Sequence, residues 1–158
     1  MITIQIIFWF CLFLILYSYL LFPGILKLLA RRKKEQKQKF LPSELPSISV
    51  LIAAFNEEKV IGDKIKSVLE SNYPRELLEI LVGSDASTDQ TMKILQLLQE
   101  EHPSLHITDF KERQGKPGII NQLAEKASGE ILVITDANVM LDKHTLAPVS
   151  YTHLRSHE

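Results

Sequence analysis

The chain has 158 residues, 46% hydrophobic and 23% charged, with a formal net charge of −1. That composition excludes a disordered chain and one wholly embedded in lipid. Charge is unevenly spread: residues 27–39 carry seven Lys/Arg and one Glu, leaving eleven basic and eighteen acidic residues elsewhere, so the remainder is not expected to bind nucleic acid.

Residues 2–21, ITIQIIFWFCLFLILYSYLL, contain no charge. As a helix they span about 30 Å, one bilayer core. The basic stretch KLLARRKKEQKQK follows the apolar run, so the positive-inside rule places what comes after it in the cytoplasm. A cleaved signal peptide requires the opposite order and a small-residue cleavage site. The expectation is a cell-membrane protein with a single N-terminal transmembrane anchor over residues 1–29. A basic cytoplasmic linker over 30–46 would follow, able also to touch anionic lipid. The lone cysteine, Cys11, lies in the apolar segment, so no intramolecular disulfide can form.

About 110 residues remain for a soluble domain, small for an α/β enzyme. After the Pro/Ser-rich FLPSELPS, β and α signals alternate. SISVLIAA (47–54) is a short apolar strand, and Ile61, Ile65, Val68 and Leu69 then recur at helical spacing. LEILVGS (78–84) is a second strand. Ser87 and Gln90 fit a capping box opening a helix with Thr91, Ile94, Leu95 and Leu98 on one stripe. HPSLHITDF carries a third strand. GKPGIINQLAEKAS is a third helix, with Pro117 in its first turn and Ile120, Leu123, Ala124 and Ala127 on its face. GEILVITDA is a fourth strand. The β-α-β-α-β-α-β order predicts an α/β fold, a mostly parallel, doubly wound sheet with helices on both sides.

In such sheets ligands sit at the carboxyl ends of the strands. FNEE, SDASTD and TDAN fall there, and ERQGKPG follows the third strand and opens a helix. Asp85 can accept hydrogen bonds from a base or ribose, or close an Asx turn. Asp89, read as the second residue of its helix, can stabilise the helix start. Glu57 and Glu58 sit at the first helix start, where capping accounts for one of them. Asp136 and Asn138 are two apart, which in extended backbone puts them on one side. One carboxylate, one amide oxygen, a diphosphate and waters suit Mg²⁺. Arg113 and Lys116 beside a Gly-rich helix start suit a diphosphate. There is no Gly-x-x-x-x-Gly-Lys-Ser/Thr loop and no Gly-x-Gly-x-x-Gly after the first strand, which argues against a P-loop ATPase and against a dinucleotide-binding domain.

Together, SVLIAAFNEE, LVGSDASTDQT, RQGKPGIINQ and VITDANVML resemble the donor-binding half of a family 2 glycosyltransferase with a GT-A fold, over about residues 47–148. The resemblance implies sugar transfer from a nucleotide-sugar, usually a UDP-sugar, to a glycan or lipid acceptor with inversion. It puts Ala54, Phe55 and Glu57 in the nucleoside pocket, Asp85 on the base or ribose, and Arg113 and Lys116 near the diphosphate. Asp136 and Asn138 stand where the family has its Asp-x-Asp motif for Mg²⁺ or Mn²⁺. Asn138 is a departure, since an amide oxygen binds such a cation less strongly than a carboxylate, leaving open a weakened site or loss of metal dependence.

The family's general base and its Gln-x-x-Arg-Trp follow further downstream. Here the only Trp is Trp9, so the chain is expected to be truncated before the base and inactive alone. Two other readings are a membrane-tethered, non-catalytic α/β nucleotide-binding module, receiver-like with Asp85 as its phosphorylatable group, and a fragment left unstable by an open sheet edge. The tail VSYTHLRSHE (149–158) breaks the pattern and is expected to form neither helix nor strand, as a stretch foreign to the domain. His153 and His157 are spaced i, i+4 but lack a third ligand. His102, His106 and His144 are read as surface residues.

Overall fold

The computed structural model describes the backbone of residues 2–30 and 45–154, and the side chains of residues 2–29 and 45–150. Most of the basic linker (Arg31 to Lys39 and on to residue 44), the side chain of His153 and all of His157 lie outside the described residues. The chain forms two compact units, Met1–Lys39 and Phe40–Glu158.

The first unit is a helical run. Helix α1 (Ile2–Leu16) passes through a wide π turn (Tyr17–Leu21) into α2 (Phe22–Ala30). Proline accounts for the wide turn: Pro23 has no N–H to give the Tyr19 carbonyl, and its ring crowds that carbonyl. The chain relaxes by letting the Phe22 N–H reach back five residues to the Tyr17 carbonyl. Side chains from Ile2 to Leu29 are almost all exposed, and the run is long and apolar enough to cross a membrane by length and composition.

The second unit is built on a four-stranded parallel sheet. Its strands are β1 (Ile48–Ala54), β2 (Leu78–Asp85), β3 (Leu105–Phe110) and β4 (Ile131–Asp136), in the order β3-β2-β1-β4. Helices α3 (Ile61–Leu69), α4 (Thr91–Glu101) and α5 (Gly115–Lys126) make the crossovers, and α6 (Leu146–Leu154) follows β4. Alternation along β1 and β2 divides the core. Ile48, Val50, Ile52, Ile80 and Val82 pack on one face with Ile61, Ile65 and Val68 of α3 and Leu95 of α4. Leu51 and Leu81 face the other way, against Ile119, Ile120 and Leu123 of α5. Each such side chain, fully buried, contributes about 1.5–3 kcal/mol. The expected fold and its helices on both sides are present.

Three local expectations are corrected. Helix α4 starts at Thr91 rather than just after Ser87, so the Ser87/Gln90 capping box does not form; Ser87 Oγ instead accepts from Asn56 N–H (3.2 Å) and Ser84 Oγ (3.0 Å). The face of α5 includes Ile119, which has no exposed surface. Residues 149–154, expected to form neither helix nor strand, belong to α6, where Leu146 and Ser150 are buried.

Gly83, in β2, is where α5 comes closest to the sheet. A Cβ there would meet Ile119 Cγ2 at 2.3 Å and Phe110 Cε2 at 3.1 Å. Neither neighbour is free to move in a filled core. Gly83→Ala is therefore expected to destabilise the domain by about 1–3 kcal/mol, read as a lower midpoint in chemical denaturation; an unchanged midpoint would show that α5 can slide on the sheet.

Candidate functional site

The carboxyl ends of β1, β2 and β4 and the start of α5 enclose a cleft of about 260 Å³. Ala54, Phe55, Glu57, Asp85, Arg113, Lys116, Asp136 and Asn138, all nominated from the sequence, line it together with Ala53 and Ala137. Residues up to 85 positions apart meet here because parallel strands put every βα loop at the same end of the sheet.

Asp85 ends β2 and is 3% exposed. Its Oδ1 accepts from the Gln114 N–H (2.7 Å) and its Oδ2 from the Gly115 N–H (3.0 Å). Those amides open α5 and have no partner within their own helix. Arg113 Nε stands 3.8 Å from Asp85 Oδ2, while its guanidinium lies 3.6 Å over the Phe55 ring. The planar cation and the ring face attract one another, so the arginine is held across the cleft from β1 to α5. Phe55, expected from the resemblance to line a nucleoside pocket, thus has a cationic partner that the sequence did not reveal.

Lys116 Nζ pairs with Asp136 Oδ1, both side chains about half exposed. Asp136 and Asn138 do not share a side by extended backbone, as the spacing suggested. Strand β4 stops at Asp136, and the Val139 N–H turns back to the Asp136 carbonyl (3.3 Å). A tight turn, with Ala137 buried inside it, aims both residues at the cleft. The Asp136 carboxylate and the Asn138 amide oxygen are hard donors suited to Mg²⁺ or Mn²⁺ if phosphates and waters complete the shell. Among the described residues no group of three His, Cys, Asp or Glu side chains could enclose a metal. A cation here would have to be shared with a substrate. His102 is partly buried, and His106 and His144 are exposed surface residues.

The rim of the cleft is a pair of interlocked loops. From the β1 side, Asn56 Oδ1 accepts the Thr88 N–H (2.8 Å) and Glu58 Oε2 the Gln90 N–H (3.0 Å). From the β2 side, Thr91 Oγ1 accepts the Glu57 N–H (2.9 Å) and Asp89 Oδ2 the Glu58 N–H (3.1 Å). Asn56 and Ala86 both adopt φ +55° to make these bends. Asparagine does so at low cost, whereas alanine pays about 1–2 kcal/mol. Asp89 precedes α4 rather than standing second in it; its Oδ1 takes the Thr91 N–H (3.0 Å) and Thr91 Oγ1. Burial tends to raise its pKa, but the hydrogen bonds from Thr91 and Glu58 outweigh this and hold the carboxyl below its ordinary value.

Lys64 was missed. It lies on α3 with no exposed surface, and its ammonium donates to Thr135 Oγ1 (2.9 Å) and the Val139 carbonyl. Burial lowers its pKa from the ordinary 10.5 to about 8, against the opposing pull of Asp136. The signal was present: Ile61, Lys64, Ile65 and Val68 follow i, i+3, i+4, i+7, so the lysine occupies a core-facing position.

A model of glycosyl transferase family 2 matches residues 49–152. The chain is 34% identical over 114 residues to a beta-monoglucosyldiacylglycerol synthase of Nostoc sp., covering 71% of this chain and 24% of that protein. It is 30% identical over 100 residues to the poly-beta-1,6-N-acetyl-D-glucosamine synthase of Staphylococcus aureus, covering 63% of this chain and 24% of that protein. Among solved structures, the mannosyltransferase PcManGT from Pyrobaculum calidifontis in complex with GDP-Man and Mn²⁺ superposes with a TM-score of 0.64 at 33% identity, covering 78% of this chain and 37% of that one. S. aureus TarS 1-349 in complex with UDP-GlcNAc gives 0.63 at 27% identity, covering 70% and 32%. The chain spans about a quarter of the length of these curated relatives. The sheet matches the GT-A arrangement of these neighbours.

The depressed Asp89 carboxyl makes loop interlocking dependent on pH. A group whose folded pKa is lowered stabilises the fold above its unfolded pKa, about 3.9, and loses that contribution as pH falls further. Asp89→Asn is expected to lower stability at pH 7 and to flatten its decline below about pH 4. Urea denaturation at several pH values would check this; parallel pH curves for the two proteins would refute it.

Proposed function

The chain belongs to glycosyl transferase family 2, and from that premise we propose that the cleft holds the nucleoside diphosphate of a nucleotide-sugar donor, most simply a UDP-sugar. The observation that carries this reading is the convergence of Arg113, Lys116, Asp85 and Asp136 on one cleft at the strand ends. The apolar wall of Ala54 and Phe55 suits a base, with Glu57 beside it. Asp85 already holds two amides, and its remaining lone pairs can accept from the ribose or base. Lys116 would exchange Asp136 for a phosphate oxygen, and Arg113 would follow from above Phe55. Asp136 and Asn138 would hold a divalent cation together with the diphosphate. When bound, that cation offsets charge developing on the departing diphosphate.

A relative's name refers to glucosyldiacylglycerol and another's to a poly-N-acetylglucosamine. On that footing we assign a lipid or glycan acceptor, met at the membrane. The apolar run Ile2–Leu29 would serve as the anchor, with the basic residues after it holding the sheet domain on the cytoplasmic side. Inversion requires a general base on the acceptor hydroxyl, and no residue of the cleft is assigned that role.

Calorimetric titration of the full chain in detergent should show UDP binding that tightens with Mn²⁺; GDP binding in preference would change the assigned base. Lys116→Ala removes one charge-assisted contact and is expected to weaken UDP binding by about tenfold or more. Asp136→Ala should abolish the Mn²⁺ effect. Neither should shift the thermal midpoint much, because their ion pair is half exposed. Wild-type affinity in both variants would place the nucleotide elsewhere. Incubated with UDP-sugars, the 158-residue chain should release no UDP above background; steady release would reveal a base among these residues.

A further inference from the structure

The segment after β4 is held by apolar contacts only near its ends: Ala137 is buried in the core and Leu141 packs against it. Val139 and Met140 are 48% and 44% exposed, and Asn138 also faces solvent. Between those points the restraints are polar, and two come from α3. Lys64 Nζ donates to Thr135 Oγ1 and to the Val139 carbonyl, one residue before Asp136 and one after Asn138. One turn further along α3, Ser67 Oγ accepts the Leu141 N–H (3.2 Å) and donates to the Lys64 carbonyl (2.8 Å). Lys64 therefore brackets the pair, and Ser67 secures the chain beyond it.

A lysine is an expensive way to fill this space. Its side chain has no exposed surface, and burial of a cation is unfavourable unless it is hydrogen-bonded. Methionine would fill a similar volume without that penalty. What methionine cannot do is donate to Val139 and Thr135 at once.

We propose that Lys64 is the positioning residue of the Asp136–Asn138 turn, tying it to the helix that follows the Phe55–Glu57 loop and so fixing the separation of the two walls of the cleft. The inference rests on the donor-site reading for its functional consequence, and on the geometry alone for the tie.

The test uses the full chain in detergent and two readouts. In the ligand-free protein, Lys64→Met is expected to speed amide hydrogen exchange at residues 137–140 by about tenfold or more, with exchange in β1 and β2 unchanged. With ligand, affinity for UDP plus Mn²⁺ is expected to fall about tenfold, and Lys64→Arg, which keeps a donor, to recover part of it. Removing a positive charge near Asp136 would on electrostatics alone tighten Mn²⁺ binding, so unchanged or tighter binding overturns the positioning role. Unchanged exchange at 137–140 overturns the tie itself. Should Lys64→Met fail to fold, Thr135→Val removes one acceptor while keeping the lysine and the shape of β4, and the same two readouts apply. If the wild-type chain binds neither UDP nor Mn²⁺, the donor-site reading fails, and the exchange measurement still decides whether Lys64 holds the turn.

Discussion

Asp85 is a carboxylate at 3% exposure whose oxygens hold the first two amides of α5. Burying a charge is costly unless hydrogen bonds replace water. Here the replacement comes from backbone that would otherwise be unsatisfied at a helix start, so two costs cancel. The consequence is positional. β2 is a central strand, so its register is set by neighbours on both sides, and the end of α5 is fixed to it. Arg113 and Lys116 are the residues on either side of that joint. The joint brings them to the cleft, where Arg113 meets Phe55 and Lys116 meets Asp136. The same engagement weighs against a receiver-like role for Asp85, because an oxygen that attacked phosphorus would have to loosen its hold on an α5 amide.

The rest of the rim is fixed by exchange between neighbouring loops. Asn56 and Glu58 serve amides of the β2–α4 loop, and Asp89 and Thr91 serve amides of the β1–α3 loop. Each loop supplies what the other lacks, so neither can shift alone. The opposite end of the sheet has its own lock. Glu79 accepts from Ser49 Oγ, from Ser128 N–H and Oγ, and from the Gly129 N–H. Burial would raise the Glu79 pKa, but these hydrogen bonds outweigh it and keep the carboxyl below its ordinary value. Hydrogen bonds thus restrain β1 and β2 at both ends, and the cleft lies at one of them.

How much of this was legible depended on the range of the signal. Strand and helix existence came from periodicity, which is local. The gathering of Ala54, Phe55, Glu57, Asp85, Arg113, Lys116, Asp136 and Asn138 into one cleft also followed, since a parallel sheet sends all its βα loops to one end. What failed required knowledge of partners. The Ser87 capping box satisfies a local pattern, but Asn56 and Ser84 claim Ser87 first, and α4 begins later. Asp136 and Asn138 were placed by strand geometry, yet the strand ends between them. The apolar stripe of α3 was read from Ile61, Ile65 and Val68 while Lys64, on the same stripe, went unremarked because its acceptors lie 71 and 75 residues away. Residues 149–154 continue α6 for a reason visible only in the fold: Leu146 and Ser150 are buried one turn apart.

The charges of the cleft bear on the asparagine at position 138. Without a donor, Asp136 is matched by Lys116, and Asp85 by backbone amides with Arg113 nearby. Lys64 adds a further positive charge behind the turn, felt at Asp136. On the proposed function, donor binding is then an exchange: Lys116 leaves a half-exposed carboxylate for a phosphate, and the freed carboxylate turns to a cation. An exposed ion pair of this kind is worth about 0–1 kcal/mol, so opening it opposes binding only weakly. A second carboxylate at 138 would hold the cation more firmly but would stand unmatched until it arrived. On that proposal the amide would keep an oxygen donor in place without that charge, and retention of the cation would depend on the diphosphate that enters with it.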